Sequence, residues 1–258
     1  MIKLPFLKAL ALEAGNIIRE EFSSNSKVNA LWKEDDTPVT ESDVEVNNLV
    51  IAKIKKQYPE VSVIAEEGSH IVEGSDWLVY CDPIDGTFPY ATGMPISTFI
   101  ISALYKGVPT LAVIYDPFND RMYTAQKGKG AFLNGDPIKV SERAELSSKA
   151  HIHLIWWKKS LDFAPLCSKL LEKGATWMNF CTIGIVGGLI ATGQFEASIF
   201  PGNKLWETAA MALVVEEAGG RCTDLEGNPI DFLKNGEMKG HVVSNGLLHE
   251  ELLRLINE

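Results

Sequence analysis

Residues 77–87 read Trp-Leu-Val-Tyr-Cys-Asp-Pro-Ile-Asp-Gly-Thr, and the fold turns on this stretch. An apolar run delivers Asp82 at the end of a predicted strand, and Pro83 then breaks the ladder. Asp82 and Asp85, three residues apart across a tight turn, can face one point in space. Hard cations such as Mg²⁺ take oxygen ligands in near-octahedral array, and two carboxylates with the free Ile84 carbonyl are apt. Gly86 and Thr87 follow with unhindered backbone N–H groups, a phosphate cradle if a helix begins there. The same spelling also suits a plain strand-end turn with solvated aspartates. A second acidic pair, Glu66-Glu67, ends the preceding predicted strand at 61–65. Adjacent parallel strands would present both acidic ends together; solvated loop glutamates are the alternative.

Outward from this segment, Leu7, Leu10, Ala14, Ile17 and Ile18 recur at helical spacing, while Lys8 and Glu13 interrupt the apolar run. The start therefore reads as an amphipathic helix to about residue 22, not as a signal peptide. Thr40-Glu-Ser-Asp43 has the form of a capping box, with Asp in place of Glu, opening a second helix along Val46, Val50 and Ile54. Strands are predicted at 98–104, 111–115 and 122–125, with a tight turn at Asn134-Gly135 between two shorter ones. Farther on come a strand at 151–157, helices at 161–172 and 183–192, and a strand at 195–199. A helix carrying Trp206, Ala209, Ala210, Leu213 and Val214 is stopped by Gly219-Gly220. No linker or repeat divides the chain, so 1–258 reads as one domain. Its halves are 1–145, rich in antiparallel strands, and 146–258, mixed; together they suggest layered helices and sheets.

Net charge is −10, which leaves no basic footprint for nucleic acid or an anionic membrane. An acidic protein that handles an anion must invert its local field, and bound cations are the usual means. The four cysteines are scattered without a CxxC pair, as suits a reducing, cytoplasmic setting. No apolar run approaches the ~20 residues that span a bilayer. The five histidines form no ligand set, and Trp156-Trp157 and Trp177 read as packing residues. Neither GxGxxG nor GxxxxGK occurs, which disfavours dinucleotide and P-loop chemistry.

Several motifs in register carry a more specific reading. PVTESD at 38–43, IAEEGS at 64–69, WLVYCDPIDGT at 77–87, MYTAQKGKGAFLNG at 122–135, ATGQFEAS at 191–198 and WETAAMALVVEEAGG at 206–220 together resemble the inositol monophosphatase family. That family lies within the lithium-sensitive, magnesium-dependent phosphatases. The resemblance implies a five-layered αβαβα sandwich, a homodimer, and a small phosphorylated metabolite as substrate. It implies two or three Mg²⁺ ions, with Mn²⁺ as a substitute. One ion would take Glu66, Asp82 and the Ile84 carbonyl; a second would take Asp82, Asp85 and Glu207. Glu66 and Thr87 would orient the attacking water, with Asp43 behind Thr87. Gly86 and Thr87 would hold phosphate through backbone N–H groups, and Thr182, Phe200 and Lys33 fall at substrate-facing positions.

Departures from the family pattern blur the substrate. Phe88-Pro89-Tyr90 replaces the usual continuation after the phosphate cradle. Phe200 stands where a glutamate grips inositol hydroxyls, and Asn179-Phe-Cys-Thr182 replaces a Gly-Thr pair with no arginine just upstream. An apolar side chain accepts no hydrogen bond from a hydroxyl, a loss that costs orders of magnitude in discrimination. A 3′-phosphoadenosine nucleotidase, a fructose-1,6-bisphosphatase and a histidinol-phosphatase are therefore alternatives. A degenerate, non-catalytic binder is an alternative of another class, because Glu207 stands where the family has aspartate.

Overall fold

The computed structural model describes residues 1–24, 28–34, 36–155, 162–202, 204–234 and 239–257. Helices α1 (Leu4–Ser24) and α2 (Glu41–Gln57) are separated by a hairpin of β1 (Ala30–Trp32) and β2 (Pro38–Thr40). Next come β3 (Ser62–Ala65), β4 (Gly68–His70), β5 (Trp77–Asp85) and the short α3 (Thr87–Ala91). A meander follows: β6 (Thr98–Tyr105), β7 (Val108–Asp116), β8 (Arg121–Gln126), β9 (Ala131–Leu133) and β10 (Asp136–Pro137). The second half begins with β11 (His151–Leu154), α4 (Ala164–Glu172), β12 (Thr176–Met178), α5 (Ile183–Ala191) and β13 (Ala197–Phe200). It ends with α6 (Leu205–Glu217), β14 (Arg221–Asp224), β15 (His241–Ser244) and α7 (His249–Asn257).

These elements stack in five layers. The eight-stranded sheet has the order β10-β9-β8-β7-β6-β5-β3-β4, antiparallel except where β3 lies parallel to β5. Helices α1 and α2 cover one face, and α5 and α6 cover the other. The five-stranded sheet β12-β11-β13-β15-β14 packs on the far side of α5 and α6, and α4 and α7 close the stack. Because both faces of the large sheet are covered, its strands are apolar almost throughout rather than alternating. In β6, Phe99 and Ile101 enter the core under α1 and α2, whereas Ile100 enters the core shared with α5 and α6. Helix α6 lies between the sheets and is buried nearly all round, in keeping with its continuous apolar sequence.

Local signals explain the element ends that matter most. The Thr40 N–H donates to Asp43 Oδ2 at 2.8 Å and Asp43 N–H returns to Thr40 Oγ1 at 3.4 Å, so the capping box forms with Asp as its third member. Asn134 and Gly135 both have positive φ, 51° and 98°, the geometry of the tight turn joining β9 to β10. One expectation is corrected at the strand that opened the reading. β5 does not end at Asp82; it continues through Pro83 to Asp85, with its register against β6 slipping between Asp82 and Asp85. A bulge is where a strand tolerates a residue with no N–H to donate. Helix α4 starts at Ala164, with Pro165 in its first turn; the predicted start at Leu161 lies outside the described residues, as do Trp156 and Trp157.

Candidate active site

The parallel pairing of β3 with β5, Ala65 opposite Cys81, sets the ends of both strands side by side. The Glu66 N–H donates to the Cys81 carbonyl at 3.2 Å, placing Glu66 beside Asp82. From the other half, the first turn of α6 brings in Glu207. One carboxylate oxygen from each of Glu66, Asp82 and Glu207 lies within 4.8 Å of the other two. Lys204 Nζ stands 2.8 Å from Glu66 Oε1 and 3.7 Å from Glu207 Oε1. Lys33 Nζ lies 3.4 Å from Glu66 Oε1 and closer still to Glu67.

The electrostatics of this group are frustrated. Burial pushes the Asp82 carboxyl well above the usual range, and the charges of Glu66, Glu207 and Asp85 push it further. Burial likewise raises Glu207 to about 8, against the pull of Lys204. At Glu66 burial is outweighed by the Lys204 and Lys33 ammoniums, which hold its carboxyl below the ordinary value. Lys204 is raised in turn: burial opposes its charge, but Glu207, Glu66 and Asp82 prevail. Hard oxygen donors converging with an excess of negative charge fit a hard divalent cation. The longer side chain of Glu207 reaches the group from its helix turn, so glutamate in place of aspartate leaves the convergence intact.

Asp85 sits differently. Its Oδ1 accepts Ile183 N–H at 2.9 Å, and its Oδ2 accepts Gly184 N–H at 2.8 Å and the Thr98 hydroxyl at 2.7 Å. The Thr182 hydroxyl also donates to Oδ2. Asp85 thus lines the cleft while binding the N-terminus of α5, and it is not one of the three converging carboxylates. Thr182, placed at a substrate position by the resemblance, directs its hydroxyl to Asp85 and caps α5. Between them, Gly86 has φ 86°, and an added Cβ would lie 3.1 Å from Thr182 Cβ, so only glycine suits this turn. The Thr87 hydroxyl lies 2.9 Å from the Ile84 carbonyl and 3.4 Å from Asp43 Oδ1. Asp43 is raised by burial to about 7, against the hydrogen bonds from Thr40.

These groups form the base of a cleft of about 350 Å³ that also takes in Phe88, Ile155, Phe200 and Lys204. Sequence reasoning brought Glu66, Asp82, Ile84, Asp85, Gly86, Thr87, Phe200 and Glu207 to one cleft, with Asp43 behind Thr87. Lys33 stands on the Glu66-Glu67 flank instead. What it missed is Lys204. The available signal was its place three residues before Glu207, the spacing at which side chains on a helix turn meet.

The chain is similar over most of its length to known proteins. The description of the inositol monophosphatase family matches residues 4–258. Histidinol-phosphatase of Mycobacterium tuberculosis is 32% identical, over 96% of this chain and 95% of its own. Fructose-1,6-bisphosphatase/inositol-1-monophosphatase of Thermotoga maritima is 31% identical, over 85% of this chain and 82% of its own. A solved IMPase/NADP phosphatase complexed with Mg²⁺ and phosphate superimposes with a TM-score of 0.82 at 26% identity, covering 95% of this chain and 91% of that one. The chain belongs to the inositol monophosphatase family and is a phosphoric monoester hydrolase with that family's αβαβα fold.

Proposed function

We propose that this enzyme is Mg²⁺-dependent and hydrolyses a small phosphorylated metabolite, using Glu66, Asp82, Glu207, Asp85 and the Ile84 carbonyl to hold two or three ions. The observation that carries this reading is the meeting of Glu66, Asp82 and Glu207 from two strands and a distant helix. Such ions, when bound, supply Lewis acidity and a lowered pKa for water. The chain's own residues do the positioning, which dominates phosphoryl transfer. The Gly86 and Thr87 N–H groups, at the start of α3, receive phosphate oxygens. Thr87 Oγ1 and the Glu66 carboxylate orient the attacking water in line with the phosphorus. The Ile84 carbonyl at 2.9 Å and Asp43 Oδ1 at 3.4 Å together set the direction of that hydroxyl. Lys204 now shares the oxygens of Glu66 and Glu207, so an incoming ion competes with its ammonium.

The setting we propose is cytoplasmic, supported by four free cysteines and by the absence, among the described residues, of a helix long and apolar enough to cross a membrane. A homodimer built from single-domain protomers is the expected assembly, and Mn²⁺ should substitute for Mg²⁺. The deciding experiment measures phosphate release from inositol 1-phosphate, adenosine 3′,5′-bisphosphate, fructose 1,6-bisphosphate and histidinol phosphate, with Mg²⁺ and with EDTA. At least one should be hydrolysed with Mg²⁺, stop with EDTA and resume on adding Mg²⁺ or Mn²⁺. Turnover that survives exhaustive chelation would overturn the metal scheme, and no release from any ester would overturn the reading.

A further inference from the structure

Lys204 is the one lysine or arginine among the described residues that line the cleft. The other charged side chains there are carboxylates: Glu66, Asp82, Asp85 and Glu207. A phosphate monoester carries about two negative charges at neutral pH, so such a cleft repels its own substrate unless cations stand between. The Lys204 ammonium is engaged with the acids themselves, 2.8 Å from Glu66 Oε1 and 3.7 Å from Glu207 Oε1.

The two ends of this residue are held differently. Its carbonyl accepts the N–H groups of Glu207 and Thr208, each at 3.3 Å, and the Thr208 hydroxyl at 2.9 Å. The Lys204 backbone is thus the fixed N-terminal boundary of α6. Its side chain is 30% exposed, and its Nζ lies 5.9 Å from the Trp206 ring centroid at the edge of the cleft. A lysine is a compact charge on a flexible four-carbon stem with rotatable donors, so it can change partners while its helix stays still. Its two present partners are among the three converging carboxylates. Cations beside the same oxygens repel one another, so Lys204 must leave Glu66 and Glu207 when they ligate a divalent ion.

We propose that Lys204 exchanges partners, neutralising Glu66 and Glu207 until they ligate an ion and then turning to an oxygen of the substrate phosphate. This rests on the Mg²⁺-dependent phosphomonoesterase reading above. Lys204 is then a phosphate-binding residue whose ammonium also weakens ion binding when no phosphate is present. The two effects have opposite signs: loss of the charge helps the ion and harms the phosphate. A plain structural ion pair would give neither.

The test is a pair of calorimetric titrations on wild type and Lys204→Met, which removes the charge and keeps most of the stem. Mg²⁺ alone, added to chelator-stripped protein, should bind Lys204→Met about 10-fold more tightly than wild type. Inorganic phosphate, added at saturating Mg²⁺, should bind it about 10-fold more weakly, the loss of one charge-assisted hydrogen bond. Lys204→Arg keeps the charge and should lie closer to wild type in both titrations. Thermal melts establish that each variant is folded; if Lys204→Met is not, Lys204→Gln takes its place in the same two titrations. Mg²⁺ binding that is unchanged or weaker in the folded neutral variant overturns the inference and leaves the phosphatase reading intact, and so does unchanged phosphate binding. Wild type that binds no Mg²⁺ overturns the metal reading itself, and the inference with it.

Discussion

Asp82 and Asp85 occupy the same strand, three residues apart, and both are buried, but their surroundings differ. Asp85 accepts hydrogen bonds from two hydroxyls and two backbone N–H groups, and the N-terminus of α5 complements its charge. Asp82 accepts the Ile84 N–H at 3.0 Å and otherwise faces the carboxylates of Glu66 and Glu207. Burying a carboxylate costs several kcal/mol unless donors or cations compensate it. At Asp85 the protein supplies that compensation, and the residue fastens the large sheet to the helix layer. At Asp82 the protein withholds it, and the uncompensated charge is what a divalent ion would satisfy.

The sharpest way to break this comparison is to neutralise each carboxylate in turn. Asp82→Asn should lower kcat by about 10³-fold or more, since an ion held there would contribute several kcal/mol to the transition state. The melting temperature of the chelated variant should equal or exceed that of the chelated wild type, because a buried repulsion has been removed. Near-normal kinetics, or a large loss of chelated stability, would show Asp82 to be structural. Asp85→Asn should behave the other way round in its stability. It replaces a charged acceptor with an amide facing N–H donors and should cost about 2–4 kcal/mol in urea unfolding of the chelated protein. A loss below about 0.5 kcal/mol would mean those donors find other partners, and Asp85 would rejoin Asp82 as a residue kept for ions alone.

The smallest expected effect sharpens the comparison through pH. Glu207 is raised by burial from 4.5 to about 8, so its contribution to stability is full below pH 4.5 and is lost as pH rises through 8. Asp43, raised from 3.8 to about 7, acts in the same direction. The second half supplies the opposite sign. Burial lowers His153 and His241 to about 3 and His249 to about 4, so their contribution is full above pH 6.5 and is lost as pH falls toward those values. Between pH 6.5 and 8 the carboxylates therefore act alone. Chelated protein should lose up to about 2 kcal/mol of stability across that window, and Glu207→Gln should lose less. Thermal melts at pH 6.5 and 8 check this; identical slopes in the two proteins would remove Glu207 from the frustrated group.

Much of this was legible without coordinates, for identifiable reasons. The Thr40–Asp43 capping box and the Asn134-Gly135 turn are local interactions whose partners are neighbours in the chain. The eight-stranded sheet is largely antiparallel and the five-stranded sheet mixed. The passage of β5 through Pro83 was not legible, because a bulge depends on how β6 re-pairs at Thr98. The donors around Asp85 were hidden as well, since Thr182, Ile183 and Gly184 lie nearly a hundred residues downstream. Short β1, β4, β12 and β14 carry too few residues for periodicity to mark them.

The amino-acid sequence by itself determined that acidic side chains fall at the ends of β3 and β5, because each follows an apolar run along the chain. It also determined that both faces of the large sheet would be buried, through apolar runs longer than alternation allows. Only the tertiary structure decided the rest: that Glu207 closes on Glu66 and Asp82, that Lys204 stands between them, and that Asp85 turns toward α5. Charge pairing and desolvation depend on which elements pack together, and packing across a hundred residues leaves no local pattern to read.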